Sequence, residues 1–312
     1  MDLKEVRQLV FKGGGAKGLA YLGALKEFEK HASLSQIESF AGTSAGAITA
    51  MLLAFGYGTE EITKIITGID WKEWLDEEWG VVRDLHNLRT NLGWCRSEVP
   101  KRWIRDQVRE ALGSENATFH DLQHLGNRGL VVVAFNTSRQ VPVYFGHEDW
   151  TLDTPIADAV LASMSIPFVW EPVLIDGDQY IDGGMIDNYP IHLWDHGQPS
   201  MLTLGFWVDN AARIDWIKRG ILPPTKGATE DFLEYAQRVV GGATTAETLE
   251  HIVDGRDHKR TVYIDTPIQT LQLDLSEKDI QNMIGDGQRG FQDFLRKKKV
   301  RPVGEFEFDP RD

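Results

Sequence analysis

A single cysteine, Cys95, stands among the 312 residues. One thiol cannot build an intramolecular disulfide framework, and such scarcity fits a reducing compartment. Long apolar runs are also missing: none reaches the roughly 18 residues that suggest a membrane-spanning helix. The opening residues Met1-Asp2-Leu3-Lys4-Glu5-Val6-Arg7 lack the apolar stretch of a Sec signal. The expectation is a cytoplasmic protein with room for peripheral membrane contact. Export by a non-Sec route is compatible with the same composition. Positive charge is in deficit, since 33 Lys and Arg against 47 Asp and Glu leave a net charge of −14. That field disfavours nucleic acid and anionic lipid, so no nucleic-acid partner is expected and any membrane contact has to come from a local patch. Repeats, low-complexity tracts and long linkers are absent, and Pro223-Pro224-Thr225-Lys226-Gly227 is the best loop candidate.

What is present is ordinary core material, 42% hydrophobic and 26% charged. Residues 6–11 read as a buried strand, followed by a glycine run and a helix over about 19–30. Residues 37–41 read as a second strand and 45–55 as a second helix. Strand, glycine turn, helix, strand, tight turn, helix is the opening of a parallel α/β sheet. Residues 57–125 break this rhythm. Thr59 is placed to N-cap a helix with Ile62, Ile65, Ile66 and Ile69 at helical spacing. Ser97 opens another, carrying Trp103, Ile104, Val108, Ala111 and Leu112 and stopped by Gly113. Further strands are predicted over 130–135, 141–145, 201–208 and 261–264. A helix should follow Thr154-Pro155, and a terminal one should run from Ser276, with Asp279 at its capping-box position, to about Lys299.

Gly42-Thr43-Ser44-Ala45-Gly46 is a G-x-S-x-G nucleophile elbow. Such an elbow holds its serine in a strained strand-to-helix turn, and Gly42 and Gly46 supply the small neighbours it needs. At a helix N-terminus, Ser44 would sit where exposed N–H groups favour a developing anion. One strand earlier, Gly13-Gly14-Gly15-Ala16-Lys17-Gly18 leaves successive amides unshielded, a nest able to face an oxyanion. Lys17 can add positive charge there or hold the loop. A rival reading exists: Gly13, Gly15 and Gly18 satisfy G-x-G-x-x-G, with Glu38 some 20 residues on, as in a dinucleotide fingerprint. Glu38, however, comes near the start of its strand rather than the end.

The Ser44 hydroxyl needs a base. His192 and His196 follow closely on Asp182, so a triad is formally possible. Asp182-Gly183-Gly184 is the stronger candidate, because a carboxylate flanked by two glycines permits close approach, and partial desolvation would make it a better base. It follows a hairpin turn at Asp176-Gly177-Asp178. Asp176, Asp178 and Asp187 are nearby decoys, and Asp187-Asn188-Tyr189-Pro190 is expected to shape the loop after the site.

Together these motifs resemble the patatin-like phospholipases, which share their catalytic core with cytosolic phospholipase A2. The family pattern is G-G-G-x-[RK]-G, then G-x-S-x-G, then D-G-[GA], and all three occur in order. Ala162-Ser163-Met164-Ser165-Ile166-Pro167, Glu171-Pro172-Val173 and the pair Asn188 and Pro190 are also similar to the family. The resemblance covers about residues 7–208. It implies a three-layer α/β/α sandwich with a mostly parallel central sheet. It implies a Ser44–Asp182 dyad with no histidine, acting on phospholipid or other acyl-ester lipid. It further implies an oxyanion hole at Gly13, Gly14, Gly15, Lys17 and Gly18, with Gly42, Gly46, Gly183 and Gly184 as support. No metal and no cofactor is implied. The expected organisation is one catalytic domain over 1–312 with a helical cap over 57–125. Trp71, Trp74, Trp79, Trp94 and Trp103 fall in that insertion, where they either meet a lipid interface or pack the cap itself. Trp216, Ile217, Ile221 and Leu222 around Lys218-Arg219 form a second interfacial candidate. Head-group preference, the balance of hydrolysis and transacylation, an activating partner and the oligomeric state stay open at this level.

Overall fold

The computed structural model describes residues 1–74, 93–95, 97–126, 128–219, 227–229, 238, 255, 257–272 and 274–297. In chain order its strands are β1 (Gln8–Phe11), β2 (Ser39–Thr43), β3 (Gly93–Cys95), β4 (Gly129–Asn136), β5 (Val141–Phe145), β6 (Phe168–Trp170), β7 (Val173–Ile175), β8 (Asp178–Asp182), β9 (Thr203–Asp209) and β10 (Thr261–Asp265). The α-helices are α1 (Ala20–Phe28), α2 (Ala45–Ala54), α3 (Thr59–Thr67), α4 (Trp71–Trp74), α5 (Glu98–Leu112), α6 (Phe119–His124), α7 (Ile156–Met164), α8 (Ala211–Arg219) and α9 (Glu277–Lys297).

The central sheet runs β10-β9-β1-β2-β4-β8-β7, with β5 on β4. From β10 to β4 every pairing is parallel, whereas β8, β7 and β5 join antiparallel. The central strands are buried almost without interruption because both faces are covered. Leu9 and Phe11 face the helices α1, α2, α7 and α9, while Val10, Ala41, Val131 and Trp207 face the opposite side. That second face is covered by Tyr189 and Ile191 and by Ile217 of α8. The result is the expected three-layer α/β/α arrangement.

One register brings the site together. β5 pairs with residues 132–136 of β4 and therefore occupies one edge of it. On the other edge β2 pairs with residues 129–133, ending with Thr43 opposite Val133. β8 then arrives from the opposite direction and ends with Asp182 opposite Ala134. Two strands thus terminate head to head along one edge of β4, and the residues at their ends are neighbours.

The helices follow their sequence signals with small shifts. α3 is capped by Gly58 rather than by Thr59, and the Gly58 N–H donates to Glu61 Oε2 at 3.0 Å. Gly113 ends α5 in the left-handed region at φ 81°. At the head of α9, Ser276 N–H and Oγ both donate to Asp279 Oδ2, and the Asp279 N–H returns to Ser276 Oγ at 3.2 Å. α9 lies against α1 across backbone-close positions: a Cβ at Gly23 would lie 1.8 Å from the Ile284 carbonyl oxygen.

Within residues 57–125, α3 packs on α1 and α2, and α5 packs on α7. Trp74 is 3% exposed and meets Trp103 edge-to-face at 5.5 Å, so it belongs to the core and not to a lipid interface. Residues 75–92 with Trp79, and the side chains of Trp71 and Trp94, lie outside the described residues. In the second candidate patch Ile217 is buried and Arg213 stacks over Trp216 at 5.3 Å, while Ile221 and Leu222 fall outside the described residues. Truncating Trp74 to alanine should therefore destabilise the fold by about 3 kcal/mol, measured by denaturant titration. A change within error would place this ring outside the core. No described helix is long and apolar enough to cross a membrane.

Candidate functional site

Ser44 sits in the turn between β2 and α2 with φ 56° and ψ −125°. A non-glycine residue in this region is strained, and two close approaches hold it there. A Cβ at Gly42 would lie 2.3 Å from the Gly46 carbonyl carbon, and one at Gly46 would lie 2.2 Å from the Phe11 carbonyl oxygen. The Ser44 N–H donates to Ser163 Oγ of α7 at 2.9 Å, and Thr43 Oγ1 donates to the Asp187 carbonyl at 2.9 Å. Gly46 to Ala54 are buried, so α2 is a central helix whose N-terminus opens at the serine. Replacing Ser44 with glycine relieves the strain, and Ser44→Gly should be more stable than Ser44→Ala by about 1 kcal/mol in chemical denaturation. Equal stability would mean that the turn is unstrained.

Asp182 comes from the hairpin β7–β8, turned by Asp176 and Gly177 at φ 51° and 87°. Its carboxylate accepts a hydrogen bond from the Gly184 N–H at 2.6 Å, and the Ser44 hydroxyl is among the groups that favour its charged form. Its own N–H donates to the Ser165 carbonyl at 2.9 Å. Burial pushes the carboxyl up to about 6; the Gly184 amide, the Ser44 hydroxyl and the Lys12 charge offset part of that rise. Gly183 is pressed against the Val133 carbonyl, and Gly184 against Asn188 and Asp182 itself.

The glycine loop leaves β1 through Lys12 and rests on three outside supports. The Gly13 N–H donates to the Asn188 carbonyl at 3.0 Å, and Asn188 Nδ2 donates to the Gly13 carbonyl at 3.4 Å. The Ala16 N–H donates to the Thr270 carbonyl at 2.9 Å. Gly15 has φ +55°, and a Cβ there would lie 2.1 Å from that same Thr270 oxygen, so only glycine fits. Gly18 lies beside Ala45, and Tyr21 donates its hydroxyl to the Lys12 carbonyl. Because its N–H is engaged by Asn188, Gly13 does not offer the oxyanion donor that the sequence suggested. Among the described residues, no hydrogen bond uses the amides of Gly14 and Gly15. Lys17 turns away to Asp209, with Nζ 3.2 Å from Oδ1.

His192 is half-exposed and faces Asp187, with Nε2 3.6 Å from Oδ2. Tyr144 donates to that same Asp187 oxygen at 2.8 Å. His192 thus pairs with Asp187, while Asp182 lies at the end of β8 beside the end of β2 that leads to Ser44. Asp178 pairs with Arg139 and Asn136 beside the hairpin turn, and Asp176 is exposed within it. Glu38 is exposed, pairs with Arg7 at 3.6 Å and precedes β2, at the end opposite to Ser44. The ribose-binding carboxylate of a dinucleotide fold belongs at the other end. The dinucleotide fingerprint is therefore coincidental, and saturable NAD(H) binding by calorimetry should be absent.

Four contributors escaped the sequence reading: Lys12, Ser163 as a hydrogen-bond acceptor, Asp209 and Thr270. Lys12 and Asp209 each end an otherwise apolar strand, and a charge in that position was the available signal.

Residues 9–194 match the family model described as patatin-like phospholipase. The chain is 34% identical over 206 residues to an uncharacterized protein of Acanthamoeba polyphaga mimivirus, covering 65% of this chain and 66% of that protein. It is 28% identical over 210 residues to a cGAMP-activated phospholipase of Escherichia coli, covering 62% of this chain and 56% of that protein. The chain thus spans under two thirds of the length of either relative. VipD from Legionella pneumophila shares the fold at a TM-score of 0.60 and 18% identity, over 94% of this chain and 67% of that one. With more than half of its length matched by the family model, and with the fold to go with it, the chain belongs to the patatin-like phospholipase family.

Proposed function

We propose that the protein is a lipid acyl hydrolase of phospholipase A or lysophospholipase type, working through Ser44, Asp182 and an acyl-enzyme. The observation that carries this reading is the buried Asp182 carboxylate brought beside the strained Ser44 turn where β2 and β8 end head to head on β4. Asp182 takes the hydroxyl proton as Ser44 Oγ bonds to the ester carbonyl carbon. The amides of Gly14 and Gly15, together with the α2 N-terminus, stabilise the oxyanion. The tetrahedral intermediate collapses, the C–O bond to the alcohol breaks, and Asp182 returns its proton to the departing oxygen. Asp182 then deprotonates a water that attacks the acyl carbon, and Ser44 leaves with that proton as the fatty acid is released. Peripheral contact with a lipid surface is part of the proposal, since the substrate resides there.

The elevated Asp182 value suits this role. A carboxyl that titrates at about 6 is ionised at neutral pH yet more basic than an exposed one. The base must be unprotonated, so kcat/KM should fall as pH drops through about 6. A pH–rate profile on a soluble ester reads this limb directly. Incubation with a fluorophosphonate followed by peptide mass analysis tests the nucleophile. The adduct should sit on the peptide containing Ser44, and labelling of another residue, or none, would refute the assignment.

A further inference from the structure

Two buried lysines bracket the glycine loop, and both reach one buried aspartate. Lys12 directly follows β1 and Lys17 lies near the far end of the loop, and their Nζ atoms lie 3.7 Å and 3.2 Å from the two oxygens of Asp209. All three residues are less than a tenth exposed. Buried charges are costly unless paired, so this grouping has to be held by its own geometry. Asp209 closes β9, where its carboxylate accepts the Asn210 N–H at 2.9 Å and its carbonyl accepts the Thr266 N–H at 3.0 Å. Val208, one residue earlier, lies beneath the loop: a Cβ at Gly14 would be 2.7 Å from its Cγ1. Lys12 also donates to the Gly13 carbonyl at 3.1 Å and stands 5.0 Å over the Trp207 ring.

We propose that Asp209 is a positioning residue of the acyl-transfer site. By holding Lys12 and Lys17 at the two ends of the glycine loop, it fixes both the loop amides and the ammonium charge that acts on Asp182. The inference rests on the Ser44–Asp182 reading above. The groups acting on Asp182 are Lys12 at the end of β1, the Ser44 hydroxyl at the start of α2 and the Gly184 amide after β8. Those facing Asp209 are Lys12, Lys17, the Asn210 amide, Arg213 of α8 and the buried Tyr21 hydroxyl of α1; the first four together outweigh burial and hold its carboxyl below the usual range. Asp209 is therefore an anion that moderates the Lys12 charge without titrating itself. Neutralising it leaves Lys12 tied to the Gly13 carbonyl and Trp207, and the net positive charge near Asp182 rises.

The experiment follows the Asp182 carboxyl by ¹³C NMR titration in the full chain, with Asp182→Asn for assignment, alongside kcat on a soluble ester. Asp209→Asn should lower the Asp182 midpoint, and Lys12→Met should raise it. kcat in Asp209→Asn should fall about tenfold to a hundredfold with little change in KM, because the loop amides lose their anchor. A purely structural aspartate would lower stability without moving the midpoint, and an unmoved midpoint in folded Asp209→Asn overturns the proposal. Should that variant not fold, Lys12→Met and the charge-balanced Asp209→Asn/Lys17→Met decide. The first must still raise the midpoint and the second must still lose kcat, and failure of either overturns the proposal. Wild-type protein without hydrolysis but with the midpoint shifts intact would sink the hydrolase reading and leave the hold of Asp209 on Lys12 standing.

Discussion

Ser44→Ala should reduce fatty-acid release by at least about 10⁴-fold while leaving the fold intact, since removing a nucleophile leaves only oxyanion and binding contributions. In the proposed mechanism the Ser44 hydroxyl is the group that reacts, whereas the backbone contacts of the turn run through the Ser44 N–H to Ser163 and through Gly42 and Gly46. Alanine keeps all of those. Asp182→Asn should cost a comparable factor in activity but raise stability at neutral pH. The folded chain holds the Asp182 proton more tightly than the unfolded chain, with a value of about 6 against 3.8. The stability linked to this proton is complete below the unfolded value and is lost as pH rises through the folded one. A shift of that size corresponds to about 3 kcal/mol at most. Above pH 6 the asparagine variant should therefore gain stability over the wild type, and below pH 4 the gain should vanish. Urea melts at the two pH values measure this. A gain independent of pH would mean that Asp182 is not the titrating group.

The second large effect lies far from the chemistry. Gly23→Val should destabilise the chain by at least about 4 kcal/mol, in the range reserved for core overpacking against backbone. The clash is not with a side-chain tip that can swing away. At Gly23 a Cβ would meet the Ile284 carbonyl oxygen at 1.8 Å, and at Gly287 one would meet the Ala20 carbonyl oxygen at 1.9 Å. α1 and α9 touch along these two glycines, and α1 begins directly after the glycine loop. Thermal melting of Gly23→Val reads the effect, and a melting temperature within a few degrees of wild type would contradict this packing. Ester hydrolysis should fall with the folded fraction, which separates this variant from Ser44→Ala.

The motifs of the candidate site were more legible in the chain than the strand pairings around it. Ser44 and Asp182 announce themselves because an elbow and a glycine-flanked carboxylate need small residues at fixed offsets, and such needs are written locally. Long-range pairings are not. Nothing local says that β8 runs antiparallel and meets the end of β2 on the same edge of β4, because register arises only when strands pair. The Gly13 amide looked available until Asn188, 175 residues away, took it. Trp74 could be read as interfacial because tryptophan suits both a bilayer edge and a core, and only its contact with Trp103 separates the two. The same holds for Asp209, whose partners Lys12 and Lys17 lie almost two hundred positions earlier.

Fatty-acid release from phosphatidylcholine vesicles tests the central claim most directly, using the wild type, Ser44→Ala, Asp182→Asn and His192→Ala. The dyad predicts release by the wild type and by His192→Ala, and its loss in the other two. Full release by folded Ser44→Ala or Asp182→Asn, or its loss in His192→Ala, would contradict it.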